Sequence, residues 1–359
     1  MGGMRTAPPL RYAITSDGVR IAYLSIGDGP PVVLASNIFG DASGYCGGLP
    51  SNEIIDRIVA LGWRVILHDP RGMGGSDRHV DDHSLAARVR DLSAVVDALG
   101  LDRFALGGTD IGAATAVAYL AERPDVVSCL TLVTPWASGA RYLELPALRA
   151  AYSAEASGGN ERKLFANIVM AVASGFQDPD YVRLGAELLL SRISATTLKA
   201  YNAANETIDI TDLLPQVKVP TLVIHEPAFP FGSFELCQEV AARIPNAEFA
   251  ILGSKSIAGR EHDETVGVVG KFLRAWMPTH VARSPVLSTG LTLASVSGLT
   301  ARELQVLRHV AAGASNKEIA LQLGVAVSTI ERHLVNLYNK IGARGRADAI
   351  AFALRSGIE

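Results

Sequence analysis

An α/β body followed by a small all-α module is the architecture this sequence predicts. Three observations carry it. Through residue 276, short β-branched runs alternate with runs of helical periodicity, the pattern of a mostly parallel sheet covered on both faces. In the last sixty residues, helix-start signals recur at thirteen- to fifteen-residue intervals. Between the two parts, Met277–Gly298 is rich in Ser, Thr, Pro and Gly and lacks strong periodicity, the composition of a linker. The predicted boundaries are 1–276 for the body, 277–296 for the linker and 297–359 for the module.

The body opens with a β-hairpin, RYAIT and VRIAYLSIG around Asp17-Gly18. Strand-like runs follow at Pro31–Ala35, Arg64–His68, Arg103–Leu106, Cys129–Val133, Thr221–His225 and Glu248–Leu252. Helix-like runs cover Ile54–Leu61, Leu85–Leu99, Ala113–Ala121, Glu235–Arg243 and Thr265–Trp276. One turn has chemical meaning. The strand RFALG runs into Gly108-Thr109-Asp110-Ile111-Gly112-Ala113 and then into a helix. The flanking glycines permit a sharp strand-to-helix elbow that lifts the middle side chain, Asp110, above the sheet edge. An aspartate so presented can attack as a nucleophile through an ester intermediate. It can also anchor a hydroxyl, amine or amide of a ligand.

With this elbow, the loop DPRGMGGSDR (Asp69–Arg78) and the run SLAARVRDLSAVVDALGLDRFAL, the body resembles the α/β-hydrolase fold from about Arg11 to Trp276. The resemblance implies a helical cap over the pocket at about 137–215. It also implies places for an acid, a histidine and an oxyanion donor. At the acid's place after TLVIH stands Phe229 or Ala228; at the alternative place after CLTLV, Pro135-Trp136-Ala137-Ser138 holds no carboxylate. The histidine's place, counted from Gly253, falls on Ser256, and the nearest histidine is His262. Ser36-Asn37 replaces the usual His-Gly after PVVLA. By family geometry Ser36, Asn37, Ile38, Asp110, Ile111, Trp136 and Ser256 line one cavity. Tyr142, Tyr152, Phe165 and Phe176 are cap aromatics available to it. The expectation is a catalytically degenerate body that binds a small-molecule effector. The alternatives are a hydrolase using Asp110 on an epoxide or ester, and a body that binds a partner protein over a vestigial pocket.

In the module, Thr300-x-x-Glu303, Ser315-x-x-Glu318 and Ser328-x-x-Glu331 fit the capping box. Gly313, Gly324, Gly342 and Gly357 close the runs. Leu304, Leu307 and Val310 form one apolar stripe; Ile319, Ala320 and Leu323 a second; Ile330, Leu334, Leu337 and Ile341 a third; Ala347, Ile350 and Leu354 a fourth. The second and third helices, joined across Gly324-Val325-Ala326, make a helix-turn-helix. With its stripe buried, the third helix presents Glu331, Arg332, Val335, Asn336 and Asn339 to base edges of a major groove. Lys317, Lys340, Arg344 and Arg346 stand at helix ends and turns, where phosphate contacts arise.

The pieces LTARELQVL, GASNKEIA, STIERHL and RADAIAFALRSGI make the module similar to the LuxR-type (GerE-like) DNA-binding domain over its whole length. The similarity implies double-stranded DNA as partner, Asn316 and Lys317 near its backbone, the helix from Ser328 and Thr329 in the groove, and a last helix that pairs two subunits. Two positions depart from the family: Glu331 where a basic residue is common, and Ala326 where a small hydroxyl is.

Charge agrees mildly. From Ser297 onward eight Lys/Arg face five Asp/Glu, a net of +3 on a chain of −3. So weak a basic surface needs a homodimer for useful DNA affinity. A hydrophobic content of 48% supports a large core, yet no run of eighteen apolar residues predicts a membrane span. Three scattered cysteines, Cys46, Cys129 and Cys237, suggest neither disulfide nor metal site, and the expectation is a cytoplasmic protein without cofactor or metal.

Overall fold

The computed structural model describes residues 8–37, 42–46, 53–146, 148–149, 161–173, 179–227, 229, 231–253 and 263–277. Toward the C-terminus it describes 306–307, 309–311, 314–323, 327, 330, 334, 337–338, 340, 343, 345–346, 348–349 and 353. The chain divides into two compact units, Met1–Val281 and Ala282–Glu359.

The first unit is built on an eight-stranded sheet of order β1-β2-β4-β3-β5-β6-β7-β8. β1 (Arg11–Ile14) and β2 (Arg20–Ile26) form the hairpin at one edge, antiparallel to each other. β2 also runs antiparallel to β4 (Arg64–His68). From β4 onward, β3 (Pro31–Ala35), β5 (Phe104–Thr109), β6 (Val127–Val133), β7 (Thr221–His225) and β8 (Glu248–Ile251) are all parallel. The inner strands are buried nearly throughout, as the continuous apolar runs require when both faces are covered.

After β3 comes the short helix α1 (Ala42–Cys46). On one face of the sheet, α2 (Glu53–Ala60) packs through Ile58. The opposite face carries α3 (Leu85–Ala98) and α4 (Ile111–Glu122). Every residue of α4 from Ile111 to Leu120 is buried, which explains why its sequence lacks a polar stripe.

Between β6 and β7 the chain leaves the sheet as a helical cap: α5 (Gly139–Leu143), α6 (Glu161–Ala173), α7 (Pro179–Arg192) and α8 (Ala195–Glu206). Its way out and way back are bound together. Ser138 bridges Asp209, Gly139 N donates to Ile208 O (2.8 Å), and Ile210 N donates to Ala137 O (2.8 Å). α9 (Phe234–Arg243) then joins α3 and α4 through Leu236 and Val240. α10 (Asp263–Trp276) joins α2 through Phe272 and Leu273.

The loop at 69–78 fastens cap to sheet. Gly74 N donates to Arg192 O (3.0 Å), and Met73 bridges Ile193. Within the loop, buried Arg71 donates to Asp91 (2.9 Å) and Asp17 (2.8 Å). Burial of Asp91 costs its charged form, and both pairings are what keep three ionised groups tolerable there. No helix among the described residues is long and apolar enough to cross a membrane.

In the C-terminal unit, α11 (Asn316–Leu323) begins with a reciprocal capping box. Ser315 N donates to Glu318 Oε2 (2.6 Å), and Glu318 N donates to Ser315 Oγ (3.4 Å). A separate small core gathers Val306, Leu307, Val310, Ile319, Ala320, Ile330, Leu334 and Leu337, together with Ala349 and Ala353. These include members of the first three stripes expected from the sequence.

Candidate functional site

The elbow between β5 and α4 is the most constrained turn of the body. Asp110 sits at φ 54°, ψ −123°, outside the ordinary regions for a residue with a Cβ, at a cost of ~1–3 kcal/mol. Two contacts force the turn. A Cβ on Gly108 would run into the Gly112 backbone, and one on Gly112 would run into the Ala35 carbonyl, so only glycine fits at either place. Backbone bonds pin the rest: Asp110 N donates to Val133 O (3.0 Å), and Ala113 N to Asp110 O (2.9 Å). From β3, the Asn37 amide donates to Thr109 O (3.2 Å).

The Asp110 carboxylate is buried but well supplied with donors. Trp136 Nε1 donates to its Oδ1 (2.7 Å), and the Tyr142 hydroxyl and Ile111 N donate as well. Trp136 and Tyr142 stack on each other, centroids 4.9 Å apart and planes 16° from parallel. The two rings thus flank the point where the cap leaves the sheet, and both reach back to the elbow. Burial nevertheless dominates, raising Asp110 to about 6 against the pull of these donors and of Arg88.

Arg88 reaches the same neighbourhood from α3. It is 4% exposed, its guanidinium lies 3.9 Å from the centroid of the Tyr201 ring on α8, and it donates to Tyr201 O (3.4 Å). Tyr201 is 2% exposed, and its hydroxyl hydrogen-bonds to no other group among the described residues. Neither Arg88 nor Tyr201 was expected from the sequence. In α3, Arg88 stands four residues before core Leu92, a spacing that could have placed it on the buried side.

The other expected residues divide. Ile111 and Trp136 are buried beside Asp110, and Asn37 is next to the elbow. Ser36 is buried too, but its hydroxyl donates to His68 O at the end of β4 and lies 3.3 Å from His68 Nδ1. His68 itself is held neutral by burial, down to about 4. Phe229, at the acid's place, packs edge-on against Phe231 (5.6 Å). Tyr142 and Phe165 are buried in the cap, whereas Tyr152 and Phe176 lie outside the described residues, as do Ile38, Ser256 and His262. In the C-terminal unit, Asn316 Oδ1 accepts from Arg346 (3.4 Å), which also donates to Ala314 O, and Lys340 is exposed. The Lys317 side chain, Ser328, Thr329, Glu331, Arg332, Val335 and Asn336 lie outside the described residues. Among the described residues no group of three or more His, Cys, Asp or Glu could hold a metal ion.

A sheet of this order, with an elbow after β5 and a cap inserted after β6, defines the body as an α/β-hydrolase fold; the C-terminal unit is a LuxR-type DNA-binding domain. Residues 31–151 match the family model described as alpha/beta hydrolase fold, and residues 297–353 that described as Bacterial regulatory proteins, luxR family. The chain is similar to the uncharacterized transcriptional regulatory protein YxjL of Bacillus subtilis (strain 168), 26% identical over 207 residues, covering 50% of this chain and 94% of that protein. It is also similar to a 2-hydroxy-6-oxononadienedioate/2-hydroxy-6-oxononatrienedioate hydrolase of Paraburkholderia xenovorans (strain LB400), 27% identical over 243 residues, covering 65% of this chain and 82% of the hydrolase. Among solved structures, the esterase EaEST from Exiguobacterium antarcticum superposes with a TM-score of 0.61 at 18% identity, covering 73% of this chain and 98% of the esterase.

Proposed function

We propose that this chain is a DNA-binding transcriptional regulator whose body senses a small-molecule effector and does not turn it over. One observation carries the reading. The elbow aspartate is held by Trp136 and Tyr142, which flank the start of the cap, and the same chain bears a LuxR-type domain. A ligand that takes up Asp110 must share it with those two rings, and so biases the cap between two arrangements. In a homodimer such a bias alters the spacing of two DNA-binding domains. Phe229 packed on Phe231 supports the absence of turnover, since no carboxylate stands there to orient a base. In this reading Ser328, Thr329, Glu331, Arg332, Val335 and Asn336 are the residues that meet the bases, and Asn316, Lys317 and Lys340 those that meet phosphates.

Operator affinity of the full chain, measured while candidate metabolites are titrated, tests the reading; no metabolite with any effect on DNA affinity overturns it. Arg332→Ala should weaken operator binding by ~1–3 kcal/mol through loss of a bidentate base contact. An equal loss on random DNA reassigns Arg332 to phosphate.

A second reading has one observation in its favour: the strained elbow preserves a nucleophile's geometry at Asp110. In that reading the body hydrolyses an epoxide or ester through a covalent ester on Asp110. Mass spectrometry of the chain after a single turnover decides between the two.

A further inference from the structure

A buried phenol hydroxyl without a hydrogen bond costs a fold stability unless something else occupies it. Among the described residues the Tyr201 hydroxyl has no hydrogen bond; burial is the main cause that raises its phenol, and the Arg88 guanidinium, 3.9 Å from the ring centroid, pulls the other way. The helix that carries it packs on α5, where Gly139 abuts the Asn205 carbonyl, so Tyr201 shares its side of the cap with the Trp136–Tyr142 stack. We propose that Tyr201 and Asp110 together form the polar end of the ligand site, and that they select a neutral ligand carrying a donor and an acceptor on one small group. A primary amide or a hydroxyl on an aromatic or apolar skeleton fits. The proposal rests on the sensor reading of the body.

Three considerations fix the chemical class. A carboxylate offers about four lone-pair sites. Among the described residues Trp136 Nε1 takes one of them, and Tyr142 and Ile111 N also favour the charged form, which still leaves acceptor capacity for a ligand donor. Tyr201 supplies the complementary donor for a ligand acceptor. Arg88, buried over the Tyr201 ring, brings a positive charge that acts on Asp110 more weakly than burial does. An anionic ligand therefore meets Asp110, a cationic one meets Arg88, and a neutral one meets neither penalty. The stacked rings of Trp136 and Tyr142 provide a flat apolar wall beside these groups.

Benzamide, N,N-dimethylbenzamide and benzoate are matched probes for the full-length chain, with binding read by calorimetry. Benzamide should bind, N,N-dimethylbenzamide at least about tenfold more weakly, and benzoate more weakly than benzamide; about tenfold is the worth of one hydrogen bond. Tyr201→Phe keeps the ring under Arg88 and removes only the hydroxyl. It should weaken benzamide about tenfold while the melting temperature of the body stays level or rises. Unchanged benzamide affinity in Tyr201→Phe, tighter binding of benzoate, no benzamide binding at millimolar concentration, or a lower melting temperature for Tyr201→Phe overturns the proposal. DNA affinity with and without benzamide separates the two claims. Tyr201-dependent binding that leaves DNA affinity unchanged upholds the ligand class and counts against the sensor.

Discussion

The sheet ends in two different ways at β5 and at β7. At the end of β5, a carboxylate is buried in a forced turn and met by two aromatic donors and a backbone amide. At the end of β7, the Glu226 carboxyl is buried with no hydrogen bond among the described residues, and Phe229 packs on Phe231. The elbow is written into backbone contacts: Gly108 against Gly112, Gly112 against Ala35. Such contacts cannot drift without tearing the sheet. The residues after β7 place only side chains, and an aromatic can replace an acid there without moving a strand. Backbone contacts therefore fix the elbow's geometry, whereas only side-chain packing fixes the residues after β7.

Truncation should separate the two ends most. Trp136 is 1% exposed, stacks on Tyr142 and donates to Asp110. Trp136→Ala should cost ~3–5 kcal/mol, from the cavity and from a buried carboxylate left short of a donor. Phe229 is only half-buried, and Phe229→Ala should cost less than half as much. Urea midpoints of the body's transition measure both. Equal costs would mean that the β7 end is as tightly built as the elbow, and the contrast would fail.

The pH dependence of stability distinguishes the same two ends by a smaller margin. Burial raises Asp110 from 3.8 to about 6 and Glu226 from 4.5 to about 7. Each folded carboxyl therefore keeps its proton at a pH where the unfolded chain has lost it. Stability is greatest below the unfolded values and declines as pH rises, between 3.8 and about 6 for Asp110 and between 4.5 and about 7 for Glu226. Asp110→Asn should flatten the lower window and Glu226→Gln the upper, each by at most about 3–3.5 kcal/mol. Calorimetric melting across this range checks it. Should Glu226→Gln leave the profile unchanged, Glu226 has a partner that keeps its charge comfortable.

How much of this was legible in the sequence varies with the range of the interactions. The strands were, because fully buried strands need continuous apolar runs, and the elbow was, because only glycine fits beside it. The capping box at Ser315 and Glu318 and the buried stripes around Leu307, Ile319 and Leu334 were legible for a local reason, since each depends on residues three or four apart. Trp136 follows β6 and was read as a neighbour of Asp110. That its Nε1 aims at Asp110 was not, because sequence spacing fixes no indole orientation. Arg88 and Tyr201 were missed altogether. A charged residue on an amphipathic helix reads as solvent-facing until its neighbours from the cap are known, and those come from more than a hundred residues away. Ser36 shows the converse, a residue at the expected position whose hydroxyl is taken by the neighbouring strand.

The smallest expected effect is also the most direct test of the contrast. Phe229→Asp puts a carboxylate three residues past Glu226, at the position where the resemblance to the fold calls for an acid. It should cost about 1 kcal/mol, since the ring it removes is half-buried and a new carboxylate can reach water. It should not create turnover of p-nitrophenyl acetate above the unaltered chain. An acid acts only by orienting a base within hydrogen-bond reach of the nucleophile, and no histidine stands between Gly253 and Glu261. A rise of about tenfold or more, some 1.4 kcal/mol of transition-state stabilisation, would reverse this reasoning. It would mean that a base, His262 or a held water, is already in place, and that the two strand ends differ by a single side chain and not by the loss of a whole relay.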